Sequence, residues 1–176
     1  MALQGPHLYW VIPEVLAGMS LPFLHPDRRM NLGGSLKQFD DELRFLAQER
    51  IGGVVSLLNL PGDAKFYSDC GFEFLCLPIP DGQPPTLDQL LDCVKFVDAC
   101  RARNRAVAMH CEAGCGRTGT MLCAYLIAKG NSPESAIKLV RAAESAAVET
   151  GAQINFLNRL PMLLFREAGI DSDGTH

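Results

Sequence analysis

Positive charge is in short supply: 16 Lys and Arg stand against 20 Asp and Glu in the 176-residue chain, a formal net charge of −4. That balance argues against general binding to nucleic acid or to an anionic membrane, both of which favour a basic surface. No apolar run is long enough to span a bilayer, and the opening Met1-Ala2-Leu3-Gln4-Gly5-Pro6-His7 has no leader pattern. Glycine is not at position 2 and no prenylation cysteine precedes the terminal Asp173-Gly174-Thr175-His176, so lipid anchoring is unsupported. Four scattered histidines and no Cys-x-x-Cys pair leave little from which to build a zinc site. Repeats, linkers and low-complexity blocks are missing as well, so one domain is expected over residues 1–170, with 171–176 as a frayed tail.

Cysteine, by contrast, is plentiful. Seven is an odd number, which fits a reducing compartment, and the expectation is a soluble, monomeric, cytoplasmic protein with access to the nucleus. Cys70, Cys76, Cys93, Cys100 and Cys123 read as ordinary core residues. Cys111 does not. It opens the stretch Cys111-Glu112-Ala113-Gly114-Cys115-Gly116-Arg117, preceded by the apolar Ala106-Val107-Ala108-Met109 and His110, and followed by another apolar run. That order reads as a buried central strand, a glycine-rich loop and a buried helix. Such a loop gathers backbone N–H groups into an anion-binding nest, and the helix N-terminus adds about half a positive charge at the same spot. A thiolate, the nucleophilic form of cysteine, is favoured in that field. Arg117 closes the loop with a planar fork of donors that grips two phosphate oxygens at once.

Around this loop the chain alternates strand and helix. Tyr9-Trp10-Val11-Ile12 and Val15-Leu16-Ala17-Gly18 flank Pro13 and read as a pair of short edge strands. Residues 36–50 form an amphipathic helix that Gly52-Gly53 should end, with a buried strand from Val54 to Asn59 and a Pro61-Gly62 turn after it. A strand over Phe72–Pro78 leads into the turn-rich Ile79-Pro80-Asp81-Gly82-Gln83-Pro84-Pro85, and Thr86 then caps a helix to about Arg103. Helices follow over Thr118–Lys129, Glu134–Ala143 behind a Ser132-Pro133 cap, and from about Ile154 to Phe165, where Pro161 should bend or split the last one. The expected fold is therefore a single α/β domain: a central, mostly parallel sheet flanked by helices, with the phosphate-binding loop between a central strand and a buried helix. Ligands of such sheets bind at the carboxyl ends of the strands, where Cys111 lies.

His110-Cys111-x5-Arg117-Thr118 resembles the signature of the cysteine-based protein phosphatases, and Leu77-Pro78-Ile79-Pro80-Asp81-Gly82-Gln83-Pro84-Pro85 is similar to their acid loop. Trp10-Val11-Ile12-Pro13-Glu14-Val15-Leu16-Ala17-Gly18, Ala147-Val148-Glu149-Thr150 and Gln153 match the small atypical dual-specificity phosphatases within that superfamily. The resemblance implies a metal- and cofactor-independent hydrolase acting on a phosphorylated protein or peptide. Cys111 would be the nucleophile, with Arg117 and the loop Glu112, Ala113, Gly114, Cys115 and Gly116 binding the phosphoryl group. Asp81 would be the general acid; a turn aspartate before glycine is the plain alternative, and Asp63 and Glu112 are the rival carboxylates. Thr118 is placed to donate a hydrogen bond to the sulfur, and His110 to fix loop carbonyls. Gln153 resembles a glutamine that positions hydrolytic water, with an exposed helix glutamine equally open.

Two departures bear on substrate. Glu144-Ser145 stands where many members carry Arg-Pro, so a basic contact is expected to be missing. The loop carries Glu112 and Cys115 in place of the lysines typical of inositol-lipid phosphatases. A phosphatase of an inositol phosphate or RNA 5′ end, and a phosphate-reading adaptor with vestigial catalysis, remain as alternatives. Cys115 is also a candidate to trap Cys111 as a reversible disulfide.

Overall fold

The computed structural model describes residues 5–23, 36–59 and 63–169. The expected tail at 171–176 and the Pro61-Gly62 turn lie outside the described residues. The strands are β1 (Leu8–Ile12), β2 (Leu16–Met19), β3 (Ile51–Ser56), β4 (Glu73–Cys76) and β5 (Ala106–His110). The helices are α1 (Leu36–Gln48), α2 (Asp63–Asp69), α3 (Leu87–Ala102), α4 (Gly116–Ala128), α5 (Pro133–Ala143) and α6 (Gly151–Glu167). The sheet runs β1-β2-β5-β3-β4, with β1 antiparallel to β2 and every other pairing parallel.

β5 lies at the centre because it has nothing polar to show to water before its last residue: all five residues are buried. Val107 and Met109 face one layer, in which Leu90, Cys93 and Val97 of α3, the length of α4, Val140 of α5, and Leu157 and Leu160 of α6 pack together. Ala106 and Ala108 face the other, with Leu46 of α1 and Tyr67 of α2. The parallel register sets Met19, Ser56 and His110 side by side, and Cys76 beside Ser56. The segments that follow β2, β3, β4 and β5 therefore leave from one edge of the sheet. The Cys111 loop and the Asp81 loop meet there although about thirty residues separate them.

Two expectations need correction and two need completion. β1 is an edge strand but β2 is internal, paired on both sides, with Pro13 in the turn between them. Gly52 and Gly53 belong to β3 and do not end α1: a Cβ at Gly52 would stand 2.2 Å from Arg105 Nε, and one at Gly53 2.9 Å from Cys100 Sγ, so neighbours pass where side chains would be. A short helix that the sequence reading did not include, α2, follows β3 and begins at Asp63, the residue after the expected Pro61-Gly62 turn. Of the two outcomes expected at Pro161, bending or splitting, the split does not occur: the last helix runs as one element from Gly151 to Glu167.

Candidate active site

Cys111 follows β5 directly and is 3% exposed. The chain then turns through Glu112 and Ala113, both exposed, and the buried Gly114 before α4 begins at Gly116. Gly114 has φ +85°, and a Cβ there would stand 2.5 Å from the carbonyl oxygen of Met19. Only glycine meets both demands, the left-handed backbone and the close approach of β2. Tyr9, buried in β1, donates its hydroxyl to the Gly114 carbonyl at 2.6 Å, and Leu21 N–H donates to Glu112 O at 2.8 Å. Burial above all, with Cys115 and Cys111 next, pushes the Tyr9 hydroxyl well above its ordinary value, so it remains a donor. His110 is fully buried, and its Nδ1 faces the Cys111 carbonyl at 3.2 Å, the loop-carbonyl contact expected of it.

Arg117 sits in the first turn of α4 and is 8% exposed. Its Nη1 donates to Ile79 O at 3.2 Å, and its Nη2 pairs with Asp81 Oδ1 at 3.2 Å. One guanidinium thus joins the glycine-rich loop to the acid loop. Of the three rival carboxylates, Asp81 faces Arg117 with its side chain 88% exposed; Asp63 is buried at the head of α2, and Glu112 is exposed in the loop. Asp81 occupies a tight turn, closed by Gln83 N–H donating to Pro80 O at 3.0 Å, whose next position, Gly82, has φ +71°. That left-handed position accounts for the glycine after the aspartate. Gln89, which closes the capping box of α3, also donates Nε2 to Pro78 O at 2.7 Å and ties down the start of the loop.

Two expected contacts take a different form. Thr118 Oγ1 is fully buried but has no hydrogen-bond partner among the described residues, so the bond to the Cys111 sulfur is not made here. Gln153 is no surface glutamine: it is fully buried, and its Oε1 accepts from Glu149 N at 2.8 Å and Thr150 N at 3.1 Å. The Thr150-x-x-Gln153 capping box that fixes it was legible in the sequence and moves the helix start to Gly151. Glu144, where an arginine was missed, pairs with His7 Nε2 at 2.8 Å, and that bond, reinforced by Ala146 N–H, holds its carboxyl below the usual range. The guanidinium of this region comes from Arg141, which donates Nε to Ala147 O and Nη2 to Val148 O, both at 3.0 Å. No sequence pattern announced Arg141 or Tyr9.

Cys76, Cys93, Cys100, Cys111, Cys115 and Cys123 are free thiols. Burial pushes Cys93 and Cys123 up to about 12. Cys115 is also raised, by burial first and then by Glu144 and Glu149. Among the described residues, no group of three or more His, Cys, Asp or Glu side chains is placed to hold a metal ion, and no helix is long and apolar enough to cross a membrane.

Residues 29–131 match the family model described as "Polymorphic toxin system, DSP-PTPase phosphatase". The chain belongs to the DSP-PTPase phosphatase family. As a DSP-PTPase member it is 31% identical over 126 residues to the human dual specificity protein phosphatase CDC14C, covering 70% of this chain and 27% of that protein. The chain therefore spans about a quarter of the length of the curated relatives it matches. Among solved structures, Tk-PTP in its active form is similar with a TM-score of 0.71 at 27% identity, over 89% of this chain and 97% of the other. PTPMT1 in complex with PI(5)P reaches a TM-score of 0.70 at 26% identity, over 91% and 98% of the two chains.

Proposed function

We propose that this DSP-PTPase member hydrolyses phosphotyrosine, and phosphoserine or phosphothreonine, monoesters of protein substrates through a phosphocysteine intermediate. The observation that supports this most is Arg117, buried in the first turn of α4 and bonded to the acid loop at both Ile79 and Asp81. That contact supports the reading because it joins the loop that carries Cys111 to the loop that carries Asp81.

In the first step the Cys111 thiolate attacks phosphorus in line with the departing oxygen; the S–P bond forms as the P–O bond breaks. Protonated Asp81 gives its proton to the leaving oxygen. Arg117 and the amides between Glu112 and Gly116 carry the charge on the three equatorial oxygens. In the second step water attacks phosphorus, Asp81 takes its proton, and sulfur departs as thiolate with release of inorganic phosphate. Thr118 supplies its buried, unpartnered hydroxyl to the departing sulfur, and Gln153 holds the attacking water. His110 keeps the Cys111 carbonyl oriented. We place the enzyme in the cytoplasm, a reading supported by its seven cysteines, an odd number that suits a reducing compartment.

A second reading has one observation behind it: the likeness to PTPMT1 with PI(5)P argues for an inositol lipid. Glu112 and the absence of lysine from the loop weigh against that polyanionic headgroup. Phosphate release from phosphotyrosine, phosphothreonine and PI(5)P substrates under one set of conditions separates the two. The protein reading expects the phosphopeptides to be turned over at least tenfold faster; a preference for PI(5)P overturns it.

A further inference from the structure

The acid loop is held at its start by Gln89 on Pro78 O and by Ile79 N–H on Leu57 O, and at its middle by Arg117. The hold by Arg117 cannot persist unchanged through the reaction proposed above, because a bound phosphoryl group claims the same fork of donors. What then fixes Asp81 must come from elsewhere. Thr150 Oγ1, on the N-cap of α6, donates to Gly82 O at 2.8 Å, one residue beyond the acid. The same hydroxyl oxygen accepts from Gln153 N at 3.2 Å, so its single hydrogen is committed to the acid loop. Gln153 returns the bond through Oε1 to Thr150 N, and it is fully buried, which makes the anchor a stiff one. The Thr150 methyl lies 3.5 Å from where a Cβ on Gly82 would be, close enough to pack against the glycine.

We infer that Thr150 is a positioning residue: its hydroxyl latches the Asp81-Gly82 turn to the N-terminus of α6 and keeps the acid aimed when phosphate occupies Arg117. The inference rests on Asp81 being the general acid. It makes the helix that carries Gln153 a structural partner of the acid loop, so that proton donation in the first step and water placement in the second share one anchor. A capping threonine by itself needs only to accept a bond from Gln153 N; it has no need to donate 68 residues away.

Three substitutions separate the cap from the latch. Thr150→Ser keeps both bonds, Thr150→Val loses both, and Thr150→Asp keeps a good N-cap acceptor but has no hydrogen to donate and sets a carboxylate against the Gly82 carbonyl. The measurement is kcat/KM against a series of aryl phosphates of rising leaving-group pKa, with pH profiles and thermal unfolding of each variant and Asp81→Asn as reference. Thr150→Asp should unfold close to the native temperature yet lose about five- to tenfold on phenyl phosphate and much less on 2,4-dinitrophenyl phosphate. Its leaving-group dependence steepens towards that of Asp81→Asn and the alkaline limb of its pH profile flattens, while Thr150→Ser stays near wild type. If Thr150→Asp and Thr150→Val keep the wild-type leaving-group dependence while Asp81→Asn loses it, Thr150 is a helix cap and nothing more. If Asp81→Asn itself leaves that dependence unchanged, the acid assignment fails and takes the latch with it.

Discussion

Gly114 is where the demands on a single residue are heaviest. Its carbonyl takes the Tyr9 hydroxyl, its φ is left-handed, and the β2 backbone at Met19 occupies the space of a Cβ. Gly114→Ala is expected to cost about 2–4 kcal/mol, from backbone strain and the displacement of β2 together. Tyr9→Phe removes only the donor and leaves a buried carbonyl unpaired, at about 1–3 kcal/mol. Urea unfolding of the two variants checks both, and a Gly114→Ala protein as stable as wild type would show that the loop has another conformation open to it. The cysteines divide at this scale too. Cys115 is the thiol that would resolve an oxidised Cys111, but burial and two flanking glutamates keep it protonated. It is therefore a slow attacker, and a fast Cys111–Cys115 disulfide is not expected.

At the scale of elements, the site is a strand, a loop and a helix braced from outside by α5 and α6. Strand, loop and helix were legible in the sequence, because an apolar run, three glycines and a second apolar run occur in the one order that makes them. The caps at Thr86 and Ser132 were equally plain, and both side chains accept the expected bonds. The bracing was hidden, because it depends on residues distant in sequence. Val148 is held at φ 63°, an uncommon place for a β-branched residue, with Arg141 gripping its carbonyl and that of Ala147. Ala147 in turn fills the space where a Cβ on Gly119 would lie, 2.7 Å away, so this segment packs against the second turn of α4. Arg141→Ala should lower stability by about 1–2 kcal/mol in a denaturant titration, and Arg141→Lys should recover no more than half, since an ammonium lacks the fork that reaches both carbonyls. Full recovery by lysine would mean that charge alone matters here. α2 and the true role of Gly52-Gly53 could not be read locally: a helix of seven residues carries too little periodicity, and a glycine demanded by a neighbour's side chain looks the same as one that stops a helix.

For the whole molecule, the three-layered fold serves to deliver three groups to one edge of a sheet: a cysteine after β5, an arginine from α4 and an aspartate after β4. Fold and family were both within reach of the sequence because the signature is dense and contiguous from His110 to Thr118. The partnerships of Arg117 with Asp81 and of Thr150 with Gly82 were not, since 36 and 68 positions separate the residues and only the folded chain brings them together. The central claim is that phosphate passes through Cys111, and acid quenching during turnover of a ³²P-labelled phosphopeptide tests it most directly. Wild type should trap covalent label on the peptide that contains Cys111, Asp81→Asn should still form it on an activated aryl phosphate, and Cys111→Ser should show neither label nor turnover. Sustained hydrolysis by Cys111→Ser, or label on any other residue, would contradict the account.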